Sequence, residues 1–326
     1  CPYPGMVPFT EAHHRFFFGR SKEIRELRGM LRHQDLVLVI GPSGSGKSSL
    51  VFAGLVPDLA SKQPGQWTAL AMRPGEDPLA ALAGALGRDA WPGADEAGQA
   101  AAVDVALARH SAGGRLLLIV DQFEELFAQA PDQATAFIAA LQTLRQDERC
   151  TLLLTLRADF YGELINSDLW PVDSSQRLEV EPLRGDALRE AITAPAETVG
   201  VFLEPALVDR LLSDAAGEPG VLPLLQETMR QLWLEMERRF IPLRAYLELG
   251  ESAGGSGLAV AMRRKADGVY LALPEGGQPI ARRIFLRLIQ FGQGRPDTRR
   301  QQPAASLRSA GDLPCVFEDT LQDLTD

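Results

Sequence analysis

Four unbroken apolar runs of strand length dominate the pattern of hydrophobic and polar positions along the chain. They cover 35–40, 67–72, 115–120 and 150–156. None of them alternates polar with apolar residues, and continuous runs of this kind are typical of parallel strands that are buried on both faces. A weaker and more polar candidate strand covers 177–183.

Helical patterns separate these runs. Phe137, Leu141 and Leu144 form an apolar stripe, and 78–86 is rich in alanine and leucine. Strands that alternate with helices predict an α/β fold, a doubly wound layer with a mostly parallel sheet. The connection around 91–100 is predicted to be an exposed loop.

The two ends of the chain carry little strand signal. Near the start, an aromatic triplet at 16–18 precedes a predicted helix with Ser21 as its N-cap. After about residue 183 the chain reads as helical, with a flexible Gly/Ser-rich break at 251–257. The predicted helices there cover 187–194, 205–213, 222–239, 258–272 and 278–292.

The strongest chemical signal is a glycine-rich loop between the first strand and a predicted helix, with the pattern Gly41-x4-Gly46-Lys47-Ser48. Glycines let successive backbone N–H groups point at phosphate oxygens. The lysine contacts the β- and γ-phosphates, and the serine hydroxyl completes the coordination of Mg²⁺. We therefore expect ATP or ADP, with Mg²⁺, to be bound by Gly41, Pro42, Ser43, Gly44, Ser45, Gly46, Lys47, Ser48 and Ser49.

A second signal is Asp121, at the carboxyl end of the third apolar run. Parallel sheets bind ligands at that edge, so Asp121 is expected to hold Mg²⁺ together with Ser48. Glu124 or Glu125 could activate the attacking water, and Glu125 is slightly preferred. The structural alternative is that Asp121 caps a helix and both glutamates interact with its dipole.

A third signal lies at the end of the fourth run, in the sequence TLRAD at 155–159. Arg157 at this edge is expected to sense the γ-phosphate. The alternative is an arginine that pairs only with the neighbouring Asp159.

Composition limits the class of partner. The net charge is −10 and the pI is about 5.1, which argues against nucleic acid as the main ligand. The basic stretch 263–308 is more simply a solvated face or a domain contact. Three scattered cysteines and four histidines show no metal-binding spacing and suit a reducing cytoplasm.

No apolar run is long enough to span a bilayer, and the first residues do not resemble a secretory signal. We expect a cytoplasmic protein without a membrane segment, excised from a longer polypeptide.

Together these motifs resemble the novel STAND group of signal-transduction P-loop ATPases, relatives of apoptotic and NACHT ATPases that are common in bacterial multidomain proteins. The resemblance covers about 4–300. It rests on FFFGR, GPSGSGKSS, VDQFEELF, LTLRADFYG, GVLPLL and IFLRLIQFGQGRPDTRRQ.

The resemblance implies a five-stranded P-loop core in which the strand ending at Arg157 lies between the loop strand and the Asp121 strand. It implies that Gly19 and Arg20 lie against the adenine and that Pro223 packs near the base or ribose. The simpler alternative for Pro223 is a first-turn helix residue. The expected domains are a lead-in with an adenine-side helix (1–34), the core (35–184), a helical subdomain (185–250) and a truncated winged-helix-like domain (251–326).

The function implied is a regulatory switch, in which slow ATP hydrolysis is coupled to conformational change and self-association, with effector and sensor domains on the same longer chain. Gln122, where related groups often have a small residue, is a departure that puts the local turn in doubt. The alternatives are a DNA-associated ATPase of the AAA+ kind and a small-molecule kinase.

Overall fold

The computed structural model describes residues 1–87, 104–105, 108–109, 114–216, 220–251, 257–290, 298–299, 302 and 304–325. Two compact units make up the chain, 1–258 and 259–326. The predicted loop at 91–100 and most of the predicted break at 251–257 lie outside the described residues.

A five-stranded sheet forms the centre of the first unit. Its strands are β1 (Leu36–Gly41), β2 (Trp67–Met72), β3 (Arg115–Val120), β4 (Cys150–Arg157) and β5 (Arg177–Glu179). Their order is β2-β3-β4-β1-β5, and every neighbouring pair is parallel. The predicted α/β class is confirmed, and β4 lies between the loop strand and the Asp121 strand as the resemblance implied.

Alternate residues of the strands supply two separate apolar layers. Leu36, Leu38 and Leu118 pack with the helix Ala134–Arg145 on one face. Val37 and Val39 pack on the other face with the helices that flank the glycine-rich loop. The inner strands β1, β3 and β4 are buried on both faces and carry no polar alternation. Each fully buried leucine contributes roughly 1.5–3 kcal/mol of stability.

Helices and short turns connect the strands. A π-helical stretch, Leu50–Leu55, interrupts the helix after the glycine-rich loop. The helices up to β5 are Ser21–Met30, Lys47–Ser49, Val56–Lys62, Pro78–Ala85, Glu124–Gln129, Ala134–Arg145 and Tyr161–Ile165, with 3-10 turns at Glu11–Phe16, Pro131–Gln133, Ala158–Phe160 and Ser174–Gln176.

A helical region completes the first unit. Its helices are Gly185–Thr198, Pro205–Ala215, Val221–Leu234 and Leu243–Glu251. Two short parallel strands, β6 (Phe202–Leu203) and β7 (Phe240–Ile241), join its loops. Tyr3 from the lead-in is buried in its core and donates a hydrogen bond to the carbonyl of Ile192 at 2.5 Å.

In its described residues, the second unit contains helices and one short antiparallel strand pair. The helix Gly257–Ala272 leads into it. Its other helices are Gly277–Arg287, Ala304–Leu307 and Pro314–Thr325, and its strands are β8 (Ile289–Gln290) and β9 (Thr298–Arg299).

Several predicted element ends are wrong. Ser21 is the first residue of its helix, and the N-cap is Arg20. The helix predicted to reach residue 239 ends at Leu234, because Arg238 and Arg239 turn the chain into β7 with φ of +47° and +66°. The helix predicted over 278–292 ends at Arg287, where β8 follows. β5 is shorter than predicted, since Pro182 cannot donate to the ladder.

Candidate functional site

The loop between β1 and the next helix has a backbone that only glycine accommodates. Gly44 and Gly46 have φ of +74° and +89°. A Cβ on Gly41 would lie 2.7 Å from the carbonyl oxygen of Val180 and 2.8 Å from Ser45 Oγ. The loop is thus wound closely beside the strand end, with its amides at the start of the helix Lys47–Ser49.

Lys47 folds back over this loop. Its ammonium group donates hydrogen bonds to the carbonyl oxygens of Gly41 at 2.8 Å and Pro42 at 3.0 Å. Burial lowers the pKa of Lys47, and the nearby carboxylate of Glu124 is the strongest influence in the opposite direction. Among the described residues, the hydrogen-bond acceptors of this partly desolvated ammonium group are neutral carbonyls, so the group is well placed to bind an anion.

Asp121 lies at the end of β3 with only 1% of its surface exposed. Its Oδ1 accepts hydrogen bonds from Ser48 Oγ at 2.7 Å and Thr155 Oγ1 at 2.8 Å. The same threonine oxygen accepts the amide of Gln122 at 2.9 Å. Gln122 has φ of +57°, so the unusual residue after Asp121 adopts a left-handed turn that Thr155 of β4 stabilises.

Arg73, immediately after β2, contacts the other oxygen of Asp121. Its Nε and Nη2 both donate to Oδ2 at 3.2 Å. Arg73 is not among the site residues that the sequence motifs predict. The available signal was its position as a polar residue directly following an apolar run, at the edge of the sheet where ligands bind.

The two glutamates after Asp121 point in different directions. Glu124 is 5% exposed and accepts the amide of Arg157 at 3.2 Å, whereas Glu125 accepts the amide of Gly75 at 3.2 Å. Burial raises the pKa of Glu124, against the opposing effects of its backbone hydrogen bonds and the charge of Lys47. Burial also raises the pKa of Glu125.

The Arg157 side chain lies at the end of β4 and is hydrogen-bonded to Asp159, two residues later in the sequence. Its Nε donates to Asp159 Oδ1 at 3.0 Å, Nη2 donates to Asp159 Oδ2, and the guanidinium lies 5.5 Å from the ring centre of Phe160. This is the pairing that the structural alternative anticipated. The same arginine is close enough to Lys47 to lower the pKa of its ammonium group.

Arg20 is buried and contacts the backbone of the glycine-rich loop. Its Nη2 donates to the carbonyl oxygens of Ser45 at 2.9 Å and Glu181 at 2.8 Å, and its Nη1 donates to Glu23 at 2.6 Å. Gly19, with φ of +83°, leaves no room for a side chain, since a Cβ would lie 2.3 Å from the carbonyl oxygen of Ala187.

The remaining predicted site residues are Ser49, in the helix that follows the loop, and Pro223, in the helical region. Ser49 Oγ accepts the amide of Phe9 at 3.1 Å, which fastens the lead-in to the loop helix. Pro223 is in the first turn of the helix Val221–Leu234. Its neighbours approach the loop: a Cβ on Gly44 would lie 3.1 Å from Gly220 Cα, and a Cβ on Gly46 would lie 3.5 Å from Leu222 Cδ1.

These residues fit a nucleotide polyphosphate with Mg²⁺. Ser45 Oγ is buried without a hydrogen-bond partner among the described residues, and Lys47 has only carbonyl acceptors. Ser48 and Asp121 supply oxygen ligands, which Mg²⁺ prefers. In the described part of the chain, no three or more His, Cys, Asp or Glu side chains are arranged so that they could hold a metal ion together, so such an ion would depend on phosphates and water for its other ligands.

Within the described ranges, no helix has both the length and the apolar character needed to cross a bilayer.

Comparison with solved structures agrees on the fold. The Orc1 protein of Aeropyrum pernix, solved in complex with DNA, is 18% identical over 94% of this chain and 77% of its own, with a TM-score of 0.52. Cdc6p from Pyrobaculum aerophilum is 14% identical over 94% of this chain and 81% of its own, with a TM-score of 0.51. A search of curated proteins finds no match.

The family comparison covers almost the whole sequence. Residues 2–326 match the model of Novel STAND NTPase 1. This agrees with the parallel sheet order, the glycine-rich loop and the position of Asp121 described above. The chain therefore belongs to the novel STAND NTPase 1 family of P-loop NTPases.

Proposed function

We propose that this chain is the ATP- and ADP-binding switch of a multidomain signalling ATPase, in which slow hydrolysis is coupled to conformational change. The observation that carries the proposal is the contact between the glycine-rich loop and the helical region. Gly44 and Gly46 of the loop face Gly220 and Leu222 at the start of the helix Val221–Leu234. A phosphate chain bound by the loop would therefore influence how the helical region is held.

The residues divide the binding task among them. The loop amides and the ammonium group of Lys47 bind the β- and γ-phosphates, exchanging the carbonyls of Gly41 and Pro42 for stronger anionic acceptors. Ser48 and Asp121 hold Mg²⁺, which neutralises charge on the phosphates. Arg20 fixes the loop through the carbonyl of Ser45. Gly19 and Pro223 are proposed to border the adenosine.

Glu124 is proposed to orient the attacking water, in preference to Glu125. Its carboxylate interacts with the charges of Lys47 and Arg157, and it is fixed by the amide of Arg157. Glu125 is turned toward Gly75 on the other side of Asp121. A general base is most effective when its pKa lies near the operating pH. A buried carboxylate with a raised pKa is therefore a suitable base.

Arg157 is proposed to detect the γ-phosphate by leaving Asp159, with which it now pairs. The pair lies at the phosphate edge of the sheet, and a doubly charged oxygen cluster competes well for a guanidinium. Loss of the γ-phosphate would restore the Arg157–Asp159 pair and so distinguish ATP from ADP.

Nucleotide exchange is proposed to act together with other parts of a longer cytoplasmic chain. A shift from 1:99 to 99:1 between two states needs roughly 5.5 kcal/mol of differential binding. The remainder of this free energy would come from effector and sensor domains, a winged-helix-like second unit and self-association. Nucleic acid is not required, consistent with the net charge of −10.

Thermal unfolding with ADP tests the nucleotide assignment. ADP at 100 times its dissociation constant should stabilise the protein by roughly 2.7 kcal/mol. The stabilisation should disappear in Lys47→Ala and persist in Lys62→Ala, which removes an exposed lysine from the same helical stretch. A protein that melts identically with and without ADP would overturn the proposal.

The switch itself is tested by hydrogen exchange at 220–222 and by sedimentation. ADP should protect these amides more than a non-hydrolysable ATP analogue does, and the analogue should favour larger assemblies. Equal protection together with an unchanged sedimentation coefficient would limit the function to nucleotide binding.

A further inference from the structure

The turn after β2, residues 73–77, reaches the acidic residues that follow β3 through two contacts. Arg73 donates to Asp121 Oδ2 through both Nε and Nη2 at 3.2 Å, and the Gly75 amide donates to Glu125 Oε2 at 3.2 Å. At its far end, Asp77 caps the helix Pro78–Ala85 by accepting the amide of Ala80 at 3.0 Å. The turn therefore links the candidate metal ligand to the helix behind β2.

The two oxygens of Asp121 are held differently. Oδ1 accepts hydroxyl groups from Ser48 at 2.7 Å and Thr155 at 2.8 Å, which are ordinary lengths for such bonds. The 3.2 Å contacts at Oδ2 are longer than the roughly 2.7–2.9 Å typical of a guanidinium–carboxylate pair. The hydroxyl groups are therefore the closer partners of Asp121, and the guanidinium of Arg73 is the more distant one.

Exposure differs just as strongly across this pair. The Arg73 side chain is 52% exposed, whereas that of Asp121 is 2% exposed. A buried carboxylate without a cation is costly, so Asp121 benefits from Arg73 as long as no metal is bound. The arginine has solvent into which its charged end can move, and the aspartate does not.

We propose that Arg73 is an exchangeable counter-ion of Asp121, which leaves Oδ2 when Mg²⁺ binds and thereby releases the turn 73–77. Mg²⁺ retains several water molecules and would bring two positive charges close to the carboxylate that the guanidinium contacts. Charge repulsion and the space needed by those waters both favour departure of the arginine. The inference rests on the nucleotide and Mg²⁺ binding proposed above.

Release of the turn would extend the effect of the metal beyond its own ligands. The bond between Gly75 and Glu125 lies on the same turn, only two residues beyond Arg73. Its loss would loosen the start of the helix Pro78–Ala85, on the edge strand β2 of the sheet. Binding of the metal at Asp121 would then change the helix Pro78–Ala85 at the outer edge of the domain. Arg73 would therefore act through Asp121 and the turn 73–77, as a positioning residue.

Metal affinity measured without turnover tests the proposal. Binding of Mn²⁺ to the ADP complex is followed by electron paramagnetic resonance in the wild type, Arg73→Gln, Arg73→Lys and Arg149→Gln. Arg149 is a matched control, since it is 48% exposed, pairs with aspartates and precedes the central strand β4, at the amino-terminal end of the strands. We expect Arg73→Gln to bind Mn²⁺ roughly threefold to tenfold more tightly, Arg73→Lys to change less, and Arg149→Gln to match the wild type.

Hydrogen exchange in the wild type gives a second measurement that needs no variant. The Gly75 amide should exchange faster with ADP and Mg²⁺ than with ADP alone. Unchanged or weaker Mn²⁺ binding in Arg73→Gln, or an unchanged Gly75 amide, would overturn the inference while the wild type still binds Mn²⁺ and ADP. A wild type that binds neither would instead overturn the proposed function, and this inference with it.

Discussion

Gly44 of the phosphate-binding loop and Gly220 at the start of a helix in the helical region touch backbone to backbone. A Cβ placed on Gly44 would lie 3.1 Å from both the Cα and the carbonyl oxygen of Gly220. Both residues have positive φ, +74° and +66°. The loop and the helix can approach this closely because neither position carries a side chain.

Gly44→Ala should therefore destabilise the protein more than conformational strain alone explains. Gly65→Ala is the matched control, because Gly65 has φ of +73° and open space where its Cβ would lie. We expect the control to cost about 1–2 kcal/mol from left-handed strain. Gly44→Ala should cost about 1 kcal/mol more from crowding against Gly220. Equal costs in urea unfolding would mean that the helix moves away freely.

Thr155 joins the Asp121 carboxylate to the turn that follows it, through a hydroxyl that donates to Asp121 and accepts from Gln122. Thr155→Val keeps the shape and removes both bonds, leaving buried polar groups without a partner. We expect a loss of about 1–3 kcal/mol in the free energy of unfolding. Thr198→Val, at an exposed helical threonine, should stay within about 0.5 kcal/mol of wild type. A similar small effect at Thr155 would contradict the bridging role.

Arg20 binds two carbonyls and one carboxylate while 3% exposed, so Arg20→Met would leave those groups without their donor. We expect a destabilisation of about 3–5 kcal/mol in chemical denaturation. Arg28→Met removes the partly exposed pair with Asp58 and should cost about 1 kcal/mol or less. If the two variants lose the same stability, Arg20 is not the fastening point of the loop.

The pKa of Glu124 is raised by burial, so the folded protein holds its proton more tightly than the unfolded chain does. Stability contributed by this group is present at low pH and is lost as pH rises from the unfolded value, about 4.3, through the higher folded value. Glu124→Gln, which can still accept the Arg157 amide, should remove that loss. The variant should gain stability relative to wild type as pH increases across this window.

Urea unfolding at a series of pH values measures this effect, with the exposed Glu26→Gln as a control that should leave the profile unchanged. A Glu124→Gln profile parallel to that of wild type would mean that the carboxylate titrates alike in both states. Steady-state hydrolysis by Glu124→Gln and Glu125→Gln separately tests which glutamate orients water.

Local pattern determined the sheet and the loop of this protein. The runs at 67–72 and 115–120 become β2 and β3 with the predicted ends. The run of β3 is unbroken because that strand is buried on both faces, which requires apolar residues throughout. The glycine spacing at 41–46 likewise predicts a loop that no bulkier sequence could form. These features need only the general environment of an α/β layer and not contacts with particular distant residues.

Only the tertiary structure decided which polar groups meet. Arg73 and Asp121 are 48 residues apart, and they touch because β2 and β3 are neighbours with parallel register. Arg20 reaches Ser45 and Glu181 by the same kind of packing, which no local pattern encodes. Strand ends can be read from residue types, but partners across the sheet depend on strand order and on side-chain reach.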